Sequence, residues 1–207
     1  LVLAPGNVQE MCDLTMRAFT LAFRYRCPAI VLADAVLGQM METLQLPETE
    51  LPPPDARAWS VQGNAATRQN LITSIFLDAS VLEDLNQRLQ DKYLRWREEA
   101  TAEQYLLDDA DVVVAAYGIS SRIARTAIQS LRAEGIRAGL FRPITLQPFP
   151  LRELAASVQG RRLVVVEQSC GQFRDDIVFQ LAAAGETLPP VTLVHRMGGQ
   201  PLGEEEV

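Results

Sequence analysis

Residues 110–150 constrain the fold more than any other stretch. Asp111 opens a run of five apolar residues, Val112 to Ala116, with no polar alternation. A strand of that kind is buried on both faces, as in a parallel sheet covered by helices. Gly118 through Ser121 form a turn of small residues, and Ser120 or Ser121 is placed to cap the helix that follows. Ile123, Ala124, Ala127, Ile128 and Leu131 then recur at helical spacing, with Arg122, Arg125, Gln129 and Arg132 on the other face. Gly135 is placed to end the helix. Ile136 to Phe141 reads as a second strand, and Pro143 cannot continue it as a central ladder member. The stretch is one strand–helix–strand unit.

The pattern repeats toward the C-terminus. Pro150 suits the first turn of a helix with Leu151, Leu154, Ala155 and Val158 as its stripe, stopped at Gly160. Leu163 to Val166 is a third buried strand, ended by Glu167. Gly171 starts a helix carrying Phe173, Ile177, Val178 and Leu181, closed at Gly185, and Val191 to Val194 is a fourth strand. This alternation predicts an α/β fold, a three-layer domain with a mostly parallel sheet.

The front of the chain reads differently. Leu1 to Ala4 is a strand end, and Asn7 with Glu10 makes a capping box for a helix running to about Tyr25, with Arg24 and Arg26 in its last turn. Ala29 to Ala33 reads as a buried parallel strand. Asp34 ends it, where open α/β sheets place ligand-facing residues. From Glu42 to Asn70, Pro47, Pro52, Pro53 and Pro54 disfavour regular structure, which predicts an extended connector with Trp59 and Val61 as anchors. Ser80 and Glu83 make a second capping box. The helix that follows carries Leu82, Leu85, Leu89, Tyr93 and Trp96 on one stripe, with Asp84–Arg88 and Asp91–Arg95 as opposite-charge pairs. It is expected to be a connecting helix packed by one face.

Composition excludes several classes. The 207 residues carry a net charge of −7 and no basic stripe, which argues against nucleic acid as a partner. Cys12, Cys27 and Cys170 are far apart, so the chain does not by itself hold a cysteine-ligated iron–sulfur cluster or a four-thiolate zinc site. The odd cysteine count without a secretory signal suits a cytoplasmic location. No apolar run is long enough to span a membrane. The chain begins at Leu1, already in a strand, and reads as the back part of a longer polypeptide.

Candidate functional residues lie at strand ends. Gly118, Ser120 and Arg122 sit between a strand and a helix start, where an anion can bind, but without a G-x-G-x-x-G or P-loop pattern the residues suit a tight turn with an N-cap better. Glu167, Ser169, Cys170, Gly171 and Gln172 follow a strand. Arg142, before Pro143, suits pairing with a carboxylate more than substrate binding. His195 is the single histidine and has no neighbouring nucleophile or ligand pattern. Arg196 to Gly199 close the last strand.

Residues 3–42 (LAPGNVQEMCDLTMRAFTLAFRYRCPAIVLADAVLGQMME) resemble the end of the pyrimidine-binding domain in 2-oxoacid:ferredoxin oxidoreductase α subunits. Residues 109–150 resemble that family's second domain, itself similar to the transketolase C-terminal domain. VVVEQSCGQFRDDI and HRMGGQPLGEEEV are similar to the closing units of the same subunit, and WSVQGNAATRQN to the connector of the branched-chain, 2-ketoisovalerate type. The resemblance implies three regions: 1–42, the end of the pyrimidine-binding domain with its front part missing; 43–107, a Pro-rich connector and long helix; and 108–207, the transketolase-C-like domain.

The resemblance also implies a subunit of an enzyme that decarboxylates a 2-oxoacid, reduces ferredoxin and forms acyl-coenzyme A. Thiamin diphosphate and Mg²⁺ would be held mainly with the β subunit, whose G-D-G motif this chain lacks, and iron–sulfur clusters by partner subunits. The family's activating glutamate would lie upstream of Leu1, so the segment alone is expected to be inactive and to serve in assembly. Its implied partners are the β subunit, a ferredoxin-like subunit, coenzyme A, the 2-oxoacid, ferredoxin and a second copy of itself. Gly118, Ser120, Arg122, Arg142, Glu167, Ser169, Gly171, Gln172 and Arg196 would then face substrate or coenzyme A, or form interfaces. The alternatives are a subunit of a lipoamide-linked 2-oxoacid dehydrogenase, a transketolase-like enzyme, and a non-catalytic assembly module.

Overall fold

The computed structural model of the chain describes residues 1–47, 55–200 and 202–207; Pro52, Pro53 and Pro54 of the expected connector lie outside them. Strand β1 (Val2–Leu3) turns through Pro5-Gly6 into helix α1 (Val8–Tyr25). Asn7 caps α1 by accepting from the Glu10 N–H, as its position predicts. The expected second half of the box is replaced. The Glu10 carboxylate accepts from Gly6 N–H and turns to Arg142, a charged donor that outcompetes the backbone amide of Asn7. Arg26 is not in the last turn but is the C-cap, with φ 48°. Strand β2 (Ile30–Val31) runs parallel to β1. It is shorter than expected and not buried, with Ile30 52% exposed, because it is an edge of its sheet. Asp34 then caps the short helix α2 (Ala35–Gln39).

Trp59 anchors the connector as expected, with its ring centroid 5.6 Å from that of Phe23 and the Arg26 guanidinium over it. Val61 stays exposed. Residues Ala65–Asn70, expected to be irregular, form a 3-10 turn capped by Asn64. Helix α3 (Ala79–Arg95) starts earlier than expected because Asp78, not Ser80, is its cap. The expectation of one packed face holds only in part: no residue of α3 is fully buried, Leu82 and Tyr93 stay exposed, Leu85 and Leu89 are half-buried, and Trp96, just past the helix, packs into the core. The ion pairs among the described residues lie elsewhere, and neither Asp84–Arg88 nor Asp91–Arg95 forms. Long exposed side chains lose too much rotamer freedom for such pairs to be dependable.

A second sheet contains β3 (Ala102–Tyr105), β4 (Val112–Ala115), β5 (Ala138–Pro143), β7 (Arg162–Glu167) and β8 (Val191–His195), in the order β3-β5-β4-β7-β8. Helices α4 (Gly118–Ala133), α5 (Leu151–Val158) and α6 (Gln172–Ala183) connect its parallel members. The fold class is therefore α/β with a mostly parallel sheet, as the sequence predicts. Val113, Ala115, Leu163 and Val165 face α5 and α6, while Val114 and Val166 face Ala124 and Ile128 of α4. Both faces are covered, which is why β4 reads as an unbroken apolar run.

Three details correct the sequence reading. Tyr117 is the N-cap of α4; Ser120 and Ser121 lie inside its first turn, buried, with Ser121 Oγ donating to Gly118 O. Strand β5 starts at Ala138, because Ile136 N–H still closes α4 by donating to Leu131 O, and it extends to Pro143, opposite Ala102. That partner strand, β3, is antiparallel and was not anticipated. Gly139 makes room for it: a Cβ there would lie 2.4 Å from Leu106 O. Beyond Pro143 the chain crosses to the first sheet, where β6 (Thr145–Gln147) pairs antiparallel with β1. The first sheet, in the order β2-β1-β6, packs on α1 through Leu1, Leu3, Leu14, Ala18, Leu21 and Trp96. No helix among the described residues is long and apolar enough to cross a membrane.

Candidate functional site

After β4 the chain crosses to β5 on one side and then returns to β7 on the other. Such a reversal leaves a crevice beyond the C-terminal ends of the two central strands. A cavity of about 220 Å³ opens there, lined by Asp34, Tyr117, Gly118, Ser120, Glu167, Gln168 and Ser169, with Leu32 and Ala33 from the first sheet.

Asp34 bridges the two sheets. Its Oδ1 accepts from Leu37 N–H at 2.9 Å, capping α2, and its Oδ2 accepts from Ile119 N–H at 2.8 Å. A carboxylate of the first sheet thus occupies the N-terminus of α4, where a phosphate would otherwise bind. Gly118 permits this approach: it has φ +58°, and a Cβ would sit 2.8 Å from Asp34 Oδ2. Gly118→Ala is expected to cost about 1–2 kcal/mol in urea unfolding from its left-handed backbone alone. Combining it with Asp34→Ala should cost less than the two separate losses together, since the steric conflict goes with the carboxylate.

Glu167 is 2% exposed. Its Oε2 accepts from Phe173 N–H at 2.9 Å and from Ser169 Oγ, and its Oε1 approaches Arg174 N–H at 3.4 Å. It therefore caps α6 from the end of β7. Burial pushes the Tyr117 phenol above its ordinary pKa, and the charges of Glu167 and Asp34 push it the same way, so the phenol stays a protonated donor. The Gln168 side-chain nitrogen is buried and has no hydrogen-bond partner among the described residues.

Of the residues singled out by sequence, Gly118, Ser120, Glu167 and Ser169 converge on this cavity. Gly171 is the left-handed N-cap of α6. Gln172 is exposed, with its amide 3.7 Å from Cys170 Sγ. Arg122 is held 2.7 Å from Glu42. Arg196 pairs with Glu206. Arg142 is buried away from the cavity and bonded to Glu10 and Glu103. Its guanidinium is fully engaged inside the protein, as its suitability for carboxylate pairing predicts. Tyr117 and Gln168 were missed; Gln168 directly follows β7 and Tyr117 lies two residues after β4, a signal that acquires meaning only once β4 and β7 are known to be neighbours.

The site can position polar groups, but its acids are already committed. Both carboxylates accept backbone N–H donors, and no group of three His, Cys, Asp or Glu residues suited to a metal occurs among the described residues. Two negative side chains, one of them accepting from the first turn of α4 beside the cavity, do not fit a diphosphate.

Comparison with known proteins agrees with this architecture. The family described as "Pyruvate flavodoxin/ferredoxin oxidoreductase, thiamine diP-bdg" matches residues 1–103, and "Pyruvate:ferredoxin oxidoreductase core domain II" matches residues 110–207. The chain is 54% identical over 203 residues to ketoisovalerate oxidoreductase subunit VorB of Methanothermobacter thermautotrophicus, covering 96% of this chain and 56% of that one. The chain belongs to the 2-oxoacid:ferredoxin oxidoreductase family. Within the family, 2-oxoglutarate synthase subunit KorA of the same organism is 32% identical over 235 residues, covering all of this chain and 61% of the relative. The chain thus spans little more than half the length of these relatives. A solved 2-oxoglutarate:ferredoxin oxidoreductase from Magnetococcus marinus, with 2-oxoglutarate, coenzyme A and succinyl-CoA bound, shares the fold. Its TM-score is 0.72 over 99% of this chain and 40% of that one, at 19% identity.

Proposed function

We propose that this chain is the C-terminal portion of the α subunit of a thiamin-diphosphate-dependent 2-oxoacid:ferredoxin oxidoreductase. The enzyme would oxidatively decarboxylate a branched-chain 2-oxoacid to acyl-coenzyme A and reduce ferredoxin. The observation that carries this reading is the 54% identity to a ketoisovalerate oxidoreductase subunit across 96% of the chain. Residues 1–42 are then the end of the pyrimidine-binding domain, 43–107 the connector and long helix, and 108–207 the second domain, whose β6 joins the first sheet.

In this reading the cofactor and Mg²⁺ are held mainly with a β subunit, the iron–sulfur clusters sit on partner subunits, and the enzyme is cytoplasmic. The poor fit of the cavity to a diphosphate supports that division. This chain's contribution is positional: Asp34 fixes the α4 start, Glu167 fixes the α6 start, and the loops Gly118–Arg122 and Glu167–Gln172 form one wall of the substrate and coenzyme A entrance.

The test is to assemble the complete α subunit with its β-type and ferredoxin-like partners and follow ferredoxin reduction with coenzyme A present. The expected result is a higher kcat/KM for ketoisovalerate than for 2-oxoglutarate or pyruvate. A preference for 2-oxoglutarate would overturn the substrate assignment. Turnover that requires a lipoyl domain instead of ferredoxin would overturn the reaction.

A further inference from the structure

Residues 34–45 lie across the starts of α1 and α4 and are held there with little apolar burial. Leu37 is the one buried side chain of the segment, at 2% exposure. Val36, Leu44 and Met41 around it are exposed. The other ties are polar and stand at both ends. At the root, Asp34 Oδ2 accepts from Ile119 N–H at 2.8 Å. Beyond α2, Glu42 accepts from Val8 N–H at 3.0 Å and from Arg122 Nη1 at 2.7 Å. Gln45 exchanges two hydrogen bonds with the Gln9 side chain, at 2.8 and 3.0 Å. The chain just before the segment is fixed differently: Leu32 N–H donates to Leu3 O at 2.7 Å and so extends the pairing of the first sheet.

These ties are weak beside those of the sheets. A five-residue helix does not persist by its own hydrogen bonds. The Glu42–Arg122 pair is exposed, at 29% and 41% of its side chains, so water replaces it at little cost. Segments with few buried apolar contacts and exposed hydrogen bonds open below the free energy of global unfolding. Strand β4, by contrast, is covered on both faces. The segment also has something to uncover. Asp34 at its root lines the crevice cavity and occupies the start of α4, beside the buried Ser120.

We propose that residues 34–45 form a lid on the crevice, closed by Asp34 on the start of α4 and latched from its far end by Glu42. The lid opens as one unit while both sheets stay folded. The proposal stands on the contacts of this segment and not on the reaction proposed above.

The test is amide hydrogen exchange of the full chain, followed by NMR in low urea. The amides of Leu37, Gly38 and Ile119 report the lid, because they donate to Asp34 Oδ1, Asp34 O and Asp34 Oδ2. They should share one opening free energy and one urea slope, both smaller than those of the β4 amides. Glu42 bonds to none of the three, yet Glu42→Gln should speed all of them by the same factor, about fivefold, through loss of the charged latch. Ser120→Cys reads the crevice itself. Its alkylation by iodoacetamide should speed up by that factor when Glu42→Gln is added, with peptide mass spectrometry separating it from Cys12, Cys27 and Cys170.

Three amides with unequal free energies would show independent fraying and overturn the single lid. Amides that share the free energy and slope of β4 would show that the segment leaves only on global unfolding. If Glu42→Gln leaves the three unmoved, Glu42 is a local cap of α1 and not a latch. Alkylation of Ser120→Cys that ignores Glu42→Gln would overturn the gating of the crevice.

Discussion

An Arg142→Met chain is expected to lose about 3 kcal/mol of stability in urea unfolding, enough to threaten folding at physiological temperature. Arg142 is 5% exposed. Its Nη1 and Nη2 donate to Glu10 at 2.8 and 2.6 Å, and its Nε donates to Glu103 at 2.6 Å. Glu10 belongs to α1, Glu103 to β3 and Arg142 to β5, so one guanidinium ties the first helix to two strands of the second sheet. Burial alone would lower the Arg142 pKa, but the carboxylates of Glu10 and Glu103 hold it above its ordinary value. Removing the cation leaves Glu103 with Arg125 alone and Glu10 with the Gly6 N–H.

The cost comes from stranded charge more than from a lost contact. A triple variant, Arg142→Met with Glu10→Gln and Glu103→Gln, should therefore recover much of the stability. If the triple variant is as unstable as the single one, packing and not charge explains Arg142. The pH dependence gives a second reading. Burial favours the neutral acid of Glu103, yet Arg142 and Arg125 hold its carboxyl below the ordinary value of 4.5. A depressed folded pKa stabilises fully above the unfolded value and is lost as pH falls through the folded one. The acid branch of stability should thus be steep in the parent and flatter in Arg142→Met.

How much of this was legible in the sequence depends on the range of each interaction. The unit from β4 to β5 was legible because both sheet faces are covered, which leaves only apolar residues in β4. Strand β3 was not, because Ala102-Glu103-Gln104-Tyr105 lies on a sheet edge and carries the polarity of one. Helix starts were displaced by two or three residues wherever several small polar residues competed for the cap, as at Asp78 and Ser80. That Arg142 suits a carboxylate followed from its residue type. Which carboxylates it meets did not, since Glu103 is 39 residues away and Glu10 is 132. Asp34 was placed correctly at a strand end, but its engagement with Ile119 depends on how two sheets meet, and no local pattern encodes that.

Replacing Glu167 with Ala is expected to cost about 3 kcal/mol, and Glu167→Gln about half of that. Alanine strips the N-terminus of α6 of its acceptor and leaves Phe173 N–H and Ser169 Oγ facing an apolar methyl group in a buried setting. Glutamine keeps the shape and one acceptor oxygen, but its NH₂ group confronts a donor. The two variants share one consequence that stability does not report. Burial is the largest cause of the raised Tyr117 pKa, and the Glu167 charge is the next. Removing that charge should move the Tyr117 titration down toward its ordinary value without reaching it. Ultraviolet tyrosinate absorbance measures this, with Tyr117→Phe assigning the signal among the four tyrosines. Equal destabilisation by Gln and Ala with an unmoved Tyr117 titration would show that Glu167 acts as a space-filling residue. Unequal costs with a lowered titration would show it acting as the charged cap that links the end of β7, the start of α6 and the cavity between them.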